Sequence, residues 1–117
     1  LQKIKDAGAK AGIALNPGTS FETVKELLYL CDYVMLMSVN PGFAGQKYLD
    51  FVTPKFRQFV DAASNYGGYQ VMIDGACSPE KIAMLSKVGV KGFILGTSAL
   101  FGKEKSYKEI ITELRKL

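Results

Sequence analysis

The sequence predicts an α/β fold built on a parallel sheet. Four short apolar runs, Gly12 to Leu15, Tyr33 to Val39, Tyr69 to Ile73 and Lys91 to Leu95, are each followed by a segment with helical periodicity. The runs start about 20 to 37 residues apart, the spacing of parallel strands joined by crossover helices. Two of them, Val34 to Met37 and Val71 to Ile73, are continuously apolar, as strands covered on both faces are. A doubly wound sheet and one half of a (β/α)8 barrel both fit this pattern, and in both the ligands gather at the C-terminal ends of the strands.

The chain opens with Leu-Gln-Lys-Ile-Lys-Asp-Ala-Gly, which reads as the middle of a helix and suggests a piece of a longer protein. After the first strand, Thr19-Ser20-Phe21-Glu22 has the form of a capping box, with Val24, Leu27 and Leu28 on one face and an end near Leu30. After the second, Thr53 and Pro54 open a helix with the stripe Phe56, Phe59, Val60 and Ala63, closed by Gly67 and Gly68. After the third, Ser78 and Pro79 start a helix that turns Ile82, Leu85 and Val88 inward and stops at Gly89. After the fourth, Ser106-Tyr107-Lys108-Glu109 is a second capping box, placing Tyr107, Ile110, Ile111 and Leu114 on one face.

The 117 residues suffice for one modest core and are expected to form a single unit. The 15 basic and 11 acidic residues are scattered, never a block, so the net charge of +4 does not point to nucleic acid. No apolar run approaches the roughly 18 to 20 residues of a membrane span. Cys31 and Cys77 lack CxxC spacing, and two thiols without a disulfide framework lead to a cytoplasmic expectation. With no histidine in the chain, no His-based triad or His metal ligand can come from it.

The loops that matter are those at the strand ends: Asn16 to Ser20, Asn40 to Gln46, Asp74 to Ser78 and Gly96 to Ser98. Asp74 directly follows Val71-Met72-Ile73, where barrel enzymes keep catalytic groups; an Asx turn leading to the Ser78 helix is the alternative. Asp32 precedes its strand and reads as structural. Gly42, Gly45, Gly75 and Gly96 fall on three strand-end loops and can bring bare backbone N–H groups to one phosphate, with the start of the segment after Thr97 adding a positive dipole end. Neither Walker A nor GxGxxG occurs, which argues against an ordinary nucleotide site. Met35 and Met37 share one strand face and read as packing, and Cys77, with no base beside it, reads as a small buried thiol.

Leu15-Asn16-Pro17-Gly18-Thr19, Met37-Ser38-Val39-Asn40-Pro41-Gly42-Phe43-Ala44-Gly45-Gln46 and Ile73-Asp74-Gly75 resemble, in order, the ribulose-phosphate 3-epimerase family. The resemblance implies the C-terminal half, strands five to eight, of a ribulose-phosphate-binding (β/α)8 TIM barrel. It also implies one divalent metal ion (Zn, Mn, Fe, Co or Mg) held by two histidines and two aspartates, of which only the aspartate matching Asp74 is in this chain. Asp74 is then both a metal ligand and one of two aspartates that exchange a proton at C3 of a ketose phosphate. Met37 becomes an apolar wall at the substrate, and the backbone of Gly42, Phe43, Ala44, Gly45, Gly75, Ala76, Gly96 and Thr97 becomes the phosphate site.

Ala44, Asp74-Gly75-Ala76-Cys77 and Gly96-Thr97-Ser98 are most similar to the D-allulose-6-phosphate 3-epimerase branch. Ribulose-phosphate epimerases more often carry a second glycine at the position of Ala76 and Gly-Ser at that of Gly96-Thr97. The expected activity is therefore isomerisation of D-allulose 6-phosphate, with D-ribulose 5-phosphate as the alternative and a non-catalytic phosphate-binding half-barrel as a third. The partner is a small ketose phosphate, not nucleic acid or membrane. The intact enzyme is expected to be a homo-oligomer, and this chain alone to be inactive.

Overall fold

A computed structural model describes all 117 residues. A short helix α1 (Gln2–Asp6) precedes strand β1 (Gly12–Leu15), which is followed by a single α-turn, α2 (Phe21–Val24), running into a 3₁₀ segment (Lys25–Leu30). Strand β2 (Tyr33–Met37) leads through a long loop and a 3₁₀ turn (Asp50–Val52) to α3 (Thr53–Ala62), which ends in another 3₁₀ turn (Ala63–Asn65). Strand β3 (Gln70–Asp74), helix α4 (Pro79–Val88), strand β4 (Gly92–Ile94) and helix α5 (Tyr107–Leu114) complete the chain.

All pairings are parallel and the sheet order is β1-β2-β3-β4. A doubly wound sheet reverses its strand order at a switch point. Here each strand lies beside its predecessor, which is the winding of half a (β/α)8 barrel. Val34, Leu36, Val71 and Ile73 point to the side where Leu28, Phe56, Phe59 and Leu85 pack, and all eight are at most 2% exposed. The alternate residues Tyr33, Met35, Met37, Met72 and Asp74 are only half-buried, and Ala14 and Ile94 are exposed. This second face is the one that lines the interior of a closed barrel. It stands open, as do the outer edges of β1 and β4. On its own the 117-residue chain is therefore expected to self-associate, because unpaired edges beside an apolar face template further pairing. A monomeric elution volume in size-exclusion chromatography at micromolar concentration contradicts this.

The elements follow the sequence closely, with local differences. Strand β2 stops at Met37, two residues before the expected Val39, because the chain turns at Ser38; β3 is shifted by one residue, and β4 loses Lys91 and Leu95. The Thr19–Glu22 capping box does not form: Ser20 is the N-cap, its hydroxyl bonds to the Thr23 hydroxyl at 2.9 Å, and Glu22 instead pairs with Lys25 Nζ at 2.9 Å. At α3, Thr53 is already helical and its hydroxyl meets the Tyr48 phenol at 2.8 Å, while Pro54 occupies the first turn as expected. The α4 termini agree with the sequence: Ser78 Oγ accepts from Lys81 N–H at 3.3 Å, and Gly89 closes the helix at φ 118°. In α5, Ser106 Oγ accepts from Glu109 N–H at 3.3 Å, and Tyr107 is 57% exposed, stacked edge-on against Phe101 and not turned to the core.

Candidate functional site

Register aligns the rim. Met37 is level with Asp74, and Asp74 with Ile94, so the last residues of three adjacent strands form one row on the open face. The loops that follow them, Asn40 to Gln46, Gly75 to Cys77 and Gly96 to Ser98, surround one cavity of about 410 Å³ with Met37 and Asp74 in its wall. Three of the four expected loops thus converge. The fourth, Asn16 to Ser20, does not reach this cavity. It is tied to α3, where Lys55 Nζ donates to the carbonyls of Asn16 (3.0 Å) and Pro17 (3.1 Å), and burial lowers the Lys55 pKa. A larger groove of about 590 Å³, lined by Ile82, Val90, Phe93, Ile111 and Leu114 among others, brings together no acidic group.

The cavity carries no lysine or arginine. What it offers an anion is backbone. The N–H groups of Gly42, Phe43, Ala44, Gly45, Ala76, Gly96 and Thr97 donate to no carbonyl of the chain. Local chemistry holds them so. The Asn40 to Gln46 loop is clasped by Gln46, whose Nε2 donates to the carbonyls of Asn40 (2.5 Å) and Phe43 (2.9 Å), while Gly42 and Gly45 take φ of 142° and 82°. On the neighbouring loop Gly75 has φ 120° and Ala76 has φ 48°, and Ala76 is the one non-glycine residue of the chain with a left-handed backbone. Such a conformation costs about 1–2 kcal/mol for a residue with a Cβ. Strain of this kind collects at binding sites. The third loop departs from expectation: Ala99, Leu100 and Phe101 N–H all converge on the Gly96 carbonyl in a tight turn, and no helix begins before Tyr107. No helix dipole therefore points at the cavity from Thr97.

Asp74 ends β3, and none of the four ion pairs in the chain involves it. The N-cap of the following helix is Ser78. Asp32 contrasts with it: its carboxylate accepts from Ala11 N–H at 2.7 Å and lies 3.8 Å from Lys5 Nζ, tying the strand starts together at the other end of the sheet. Cys77 is 2% exposed, and burial, reinforced by the charge of Asp74, pushes its thiol up to about 11. A thiol held there is protonated at neutral pH and is no nucleophile.

No three His, Cys, Asp or Glu side chains come together anywhere in the chain. Asp74 alone does not make a divalent-metal site, so these 117 residues do not by themselves fit the metal that the resemblance implies.

Ser38 has no place among the sequence-derived candidates. It is the one polar residue in the buried set, with 0% exposure, and its hydroxyl donates to the Gly75 carbonyl. A serine just past an apolar strand carries little signal, since its role depends on a partner 37 residues away.

A family profile described as "Ribulose-phosphate 3 epimerase family" matches residues 1–101. Among curated proteins, the chain is 40% identical over 118 residues to a ribulose-phosphate 3-epimerase of Aquifex aeolicus, covering 100% of this chain and 51% of that protein. It is 37% identical to a ribulose-phosphate 3-epimerase of Rhodobacter capsulatus (94% of this chain, 47% of the relative). It is 35% identical to one of Bacillus subtilis (98% and 53%). The chain thus spans about half the length of the curated relatives it matches.

Proposed function

The chain belongs to the ribulose-phosphate 3-epimerase family, and on that premise we propose that the protein carrying it is a sugar-phosphate 3-epimerase to which these residues contribute the second half of the barrel. The observation that carries this reading is the convergence, at one rim, of seven unbonded backbone amides with a carboxylate that forms no ion pair. The amides hold the phosphate of a ketose, a job suited to Gly-rich loops that let backbone approach an oxyanion. Asp74 takes the proton from C3, and the electron pair of the C–H bond moves toward the C2 carbonyl oxygen to give an enediolate. Reprotonation on the opposite face needs a second acid, which these residues do not supply. Met37, level with Asp74 on the neighbouring strand, walls the reacting carbon and keeps out water that would exchange the proton. A divalent metal at this rim would find one ligand in Asp74 and take the others from outside these residues.

The substrate proposed is D-ribulose 5-phosphate, because the relatives above are named ribulose-phosphate 3-epimerases. This displaces D-allulose 6-phosphate as the leading reading. The latter keeps one specific support, the strained Ala76 together with Ala44 and Thr97. Measured on the whole protein, kcat/KM for D-ribulose 5-phosphate is expected to exceed that for D-allulose 6-phosphate; the reverse order restores the hexose reading, and inactivity on both removes the epimerase assignment. The 117-residue chain alone is expected to turn over neither, since it lacks the second acid.

A further inference from the structure

From the contacts of Ser38 we infer that its hydroxyl is the positioning group of the phosphate cradle, fixing the peptide plane that aims the Ala76 N–H at the anion. This rests on the phosphate-site reading above and goes beyond it by assigning a residue that does not itself line the cavity. Ser38 faces the β3 loop with both of its donors. Its N–H donates to the Asp74 carbonyl at 3.0 Å, and its hydroxyl donates to the Gly75 carbonyl, with the Asp74 carbonyl 3.4 Å away. Its own carbonyl accepts from Leu49 N–H at 2.8 Å, which ties the segment following the Asn40 to Gln46 loop back to a residue preceding it. One buried residue thereby joins two of the three cradle loops.

The consequence follows from amide geometry. In a trans peptide the C=O and the N–H of the same plane point in opposite directions. Drawing the Gly75 carbonyl toward Ser38 turns the Ala76 N–H away from it, and that N–H has no acceptor in the chain. The plane would not hold this orientation unaided, because Gly75 and Ala76 both stand at positive φ and Ala76 pays a steric penalty there. The fit is close: a Cβ on Gly75, which stands at φ 120°, would come within 2.8 Å of Ser38 Oγ and of Val39 Cγ2, so Ser38 and Val39 together hold position 75 to glycine. Packing does not explain the hydroxyl. At full burial an alanine would avoid the desolvation of the O–H, and the only carbonyls the hydroxyl reaches are those of the cradle strand.

Inorganic phosphate is the probe, titrated into the whole protein while backbone amide resonances are followed. In the wild type the Ala76 amide is expected to shift with the Gly42 to Gly45 amides on a single binding curve. Ser38→Ala is expected to raise the phosphate Kd roughly tenfold, the effect of losing one aligned donor to a charged group, and to raise KM with kcat changed less than about twofold. Ser38→Thr, which keeps the hydroxyl, is expected to restore the affinity. Phosphate binding with an unmoved Ala76 amide, or equal Kd values in wild type and Ser38→Ala, overturns the role of Ser38 and leaves the phosphate site standing. Absence of phosphate binding in the wild type overturns both. If Ser38→Ala fails to fold, Ser38→Cys, which keeps the volume and has only a weak donor, carries the same two outcomes.

Discussion

Asp74→Asn in the whole protein is expected to lower turnover by about 10²- to 10⁴-fold, the range in which a positioned proton acceptor contributes. The carboxamide has nearly the same shape, so the strand and its loop should survive. Asp74 contributes to the fold through its backbone, whose carbonyl accepts from Ser38 N–H at 3.0 Å, and that bond is untouched by the substitution. The carboxylate is in no ion pair, so its loss removes no structural partner. What is lost is the basicity of the carboxylate proposed to accept the C3 proton. Phosphate affinity should stay within about twofold, because the cradle consists of backbone amides. Solvent-deuterium exchange at C3 gives the sharpest measurement, since it follows proton removal even where net epimerisation is slow. Exchange at the wild-type rate in Asp74→Asn removes Asp74 from the proposed chemistry.

Asp32→Asn is the natural comparison. Its carboxylate accepts from Ala11 N–H and faces Lys5, at the end of the sheet remote from the cavity. That substitution should affect stability and leave turnover per folded molecule unchanged. The same residue type therefore divides by strand end, as the rule that barrel chemistry lies at the C-terminal rim requires.

The placement of Asp74 and Asp32 at opposite ends of the sheet was legible in the sequence because position relative to a strand is a one-dimensional property. So were the β-α units, since a four- or five-residue apolar run bounded by glycine and a Ser-Pro helix start reads the same in the chain as in the fold. Convergence of the Asn40, Gly75 and Gly96 loops was legible as well, because parallel winding returns every strand end to one rim. What escaped the sequence depends on choices between near-equal local partners. Thr19 and Ser20 are both competent N-caps, and the hydroxyl of Ser20 finds Thr23 while Glu22 finds Lys25. The segment after Thr97 looked like a helix start, but three N–H groups sharing the Gly96 carbonyl close it into a turn. Ser38 escaped for a different reason. Its partner carbonyls lie on the next strand, so no local pattern marks it.

Phe59→Ala is expected to cost about 3–5 kcal/mol, the range for truncating a buried aromatic ring, against the roughly 5–15 kcal/mol that keeps a typical domain folded. Phe59 is 0% exposed and central to the helix side of the sheet. Its ring meets Phe21 edge-on at 5.1 Å, with an interplanar angle of 78°, and Phe21 in turn meets Tyr66 at 5.5 Å. Its backbone carbonyl accepts the Tyr69 hydroxyl at 2.5 Å, binding α3 to the residue just before β3. Removing the ring opens a cavity where α2, α3 and β3 meet. Tyr69→Phe separates the two contributions, because it deletes only the hydroxyl and should cost about 1 kcal/mol. Urea unfolding of both variants measures the difference. The effect should reach the site: α3 follows the loop that carries Gly42 to Gly45, and β3 carries Asp74 at its end, so loosening the packing between them loosens the rim. If Phe59→Ala unfolds within 1 kcal/mol of the wild type, the aromatic cluster around α3 is not what sets the spacing between α3 and β3.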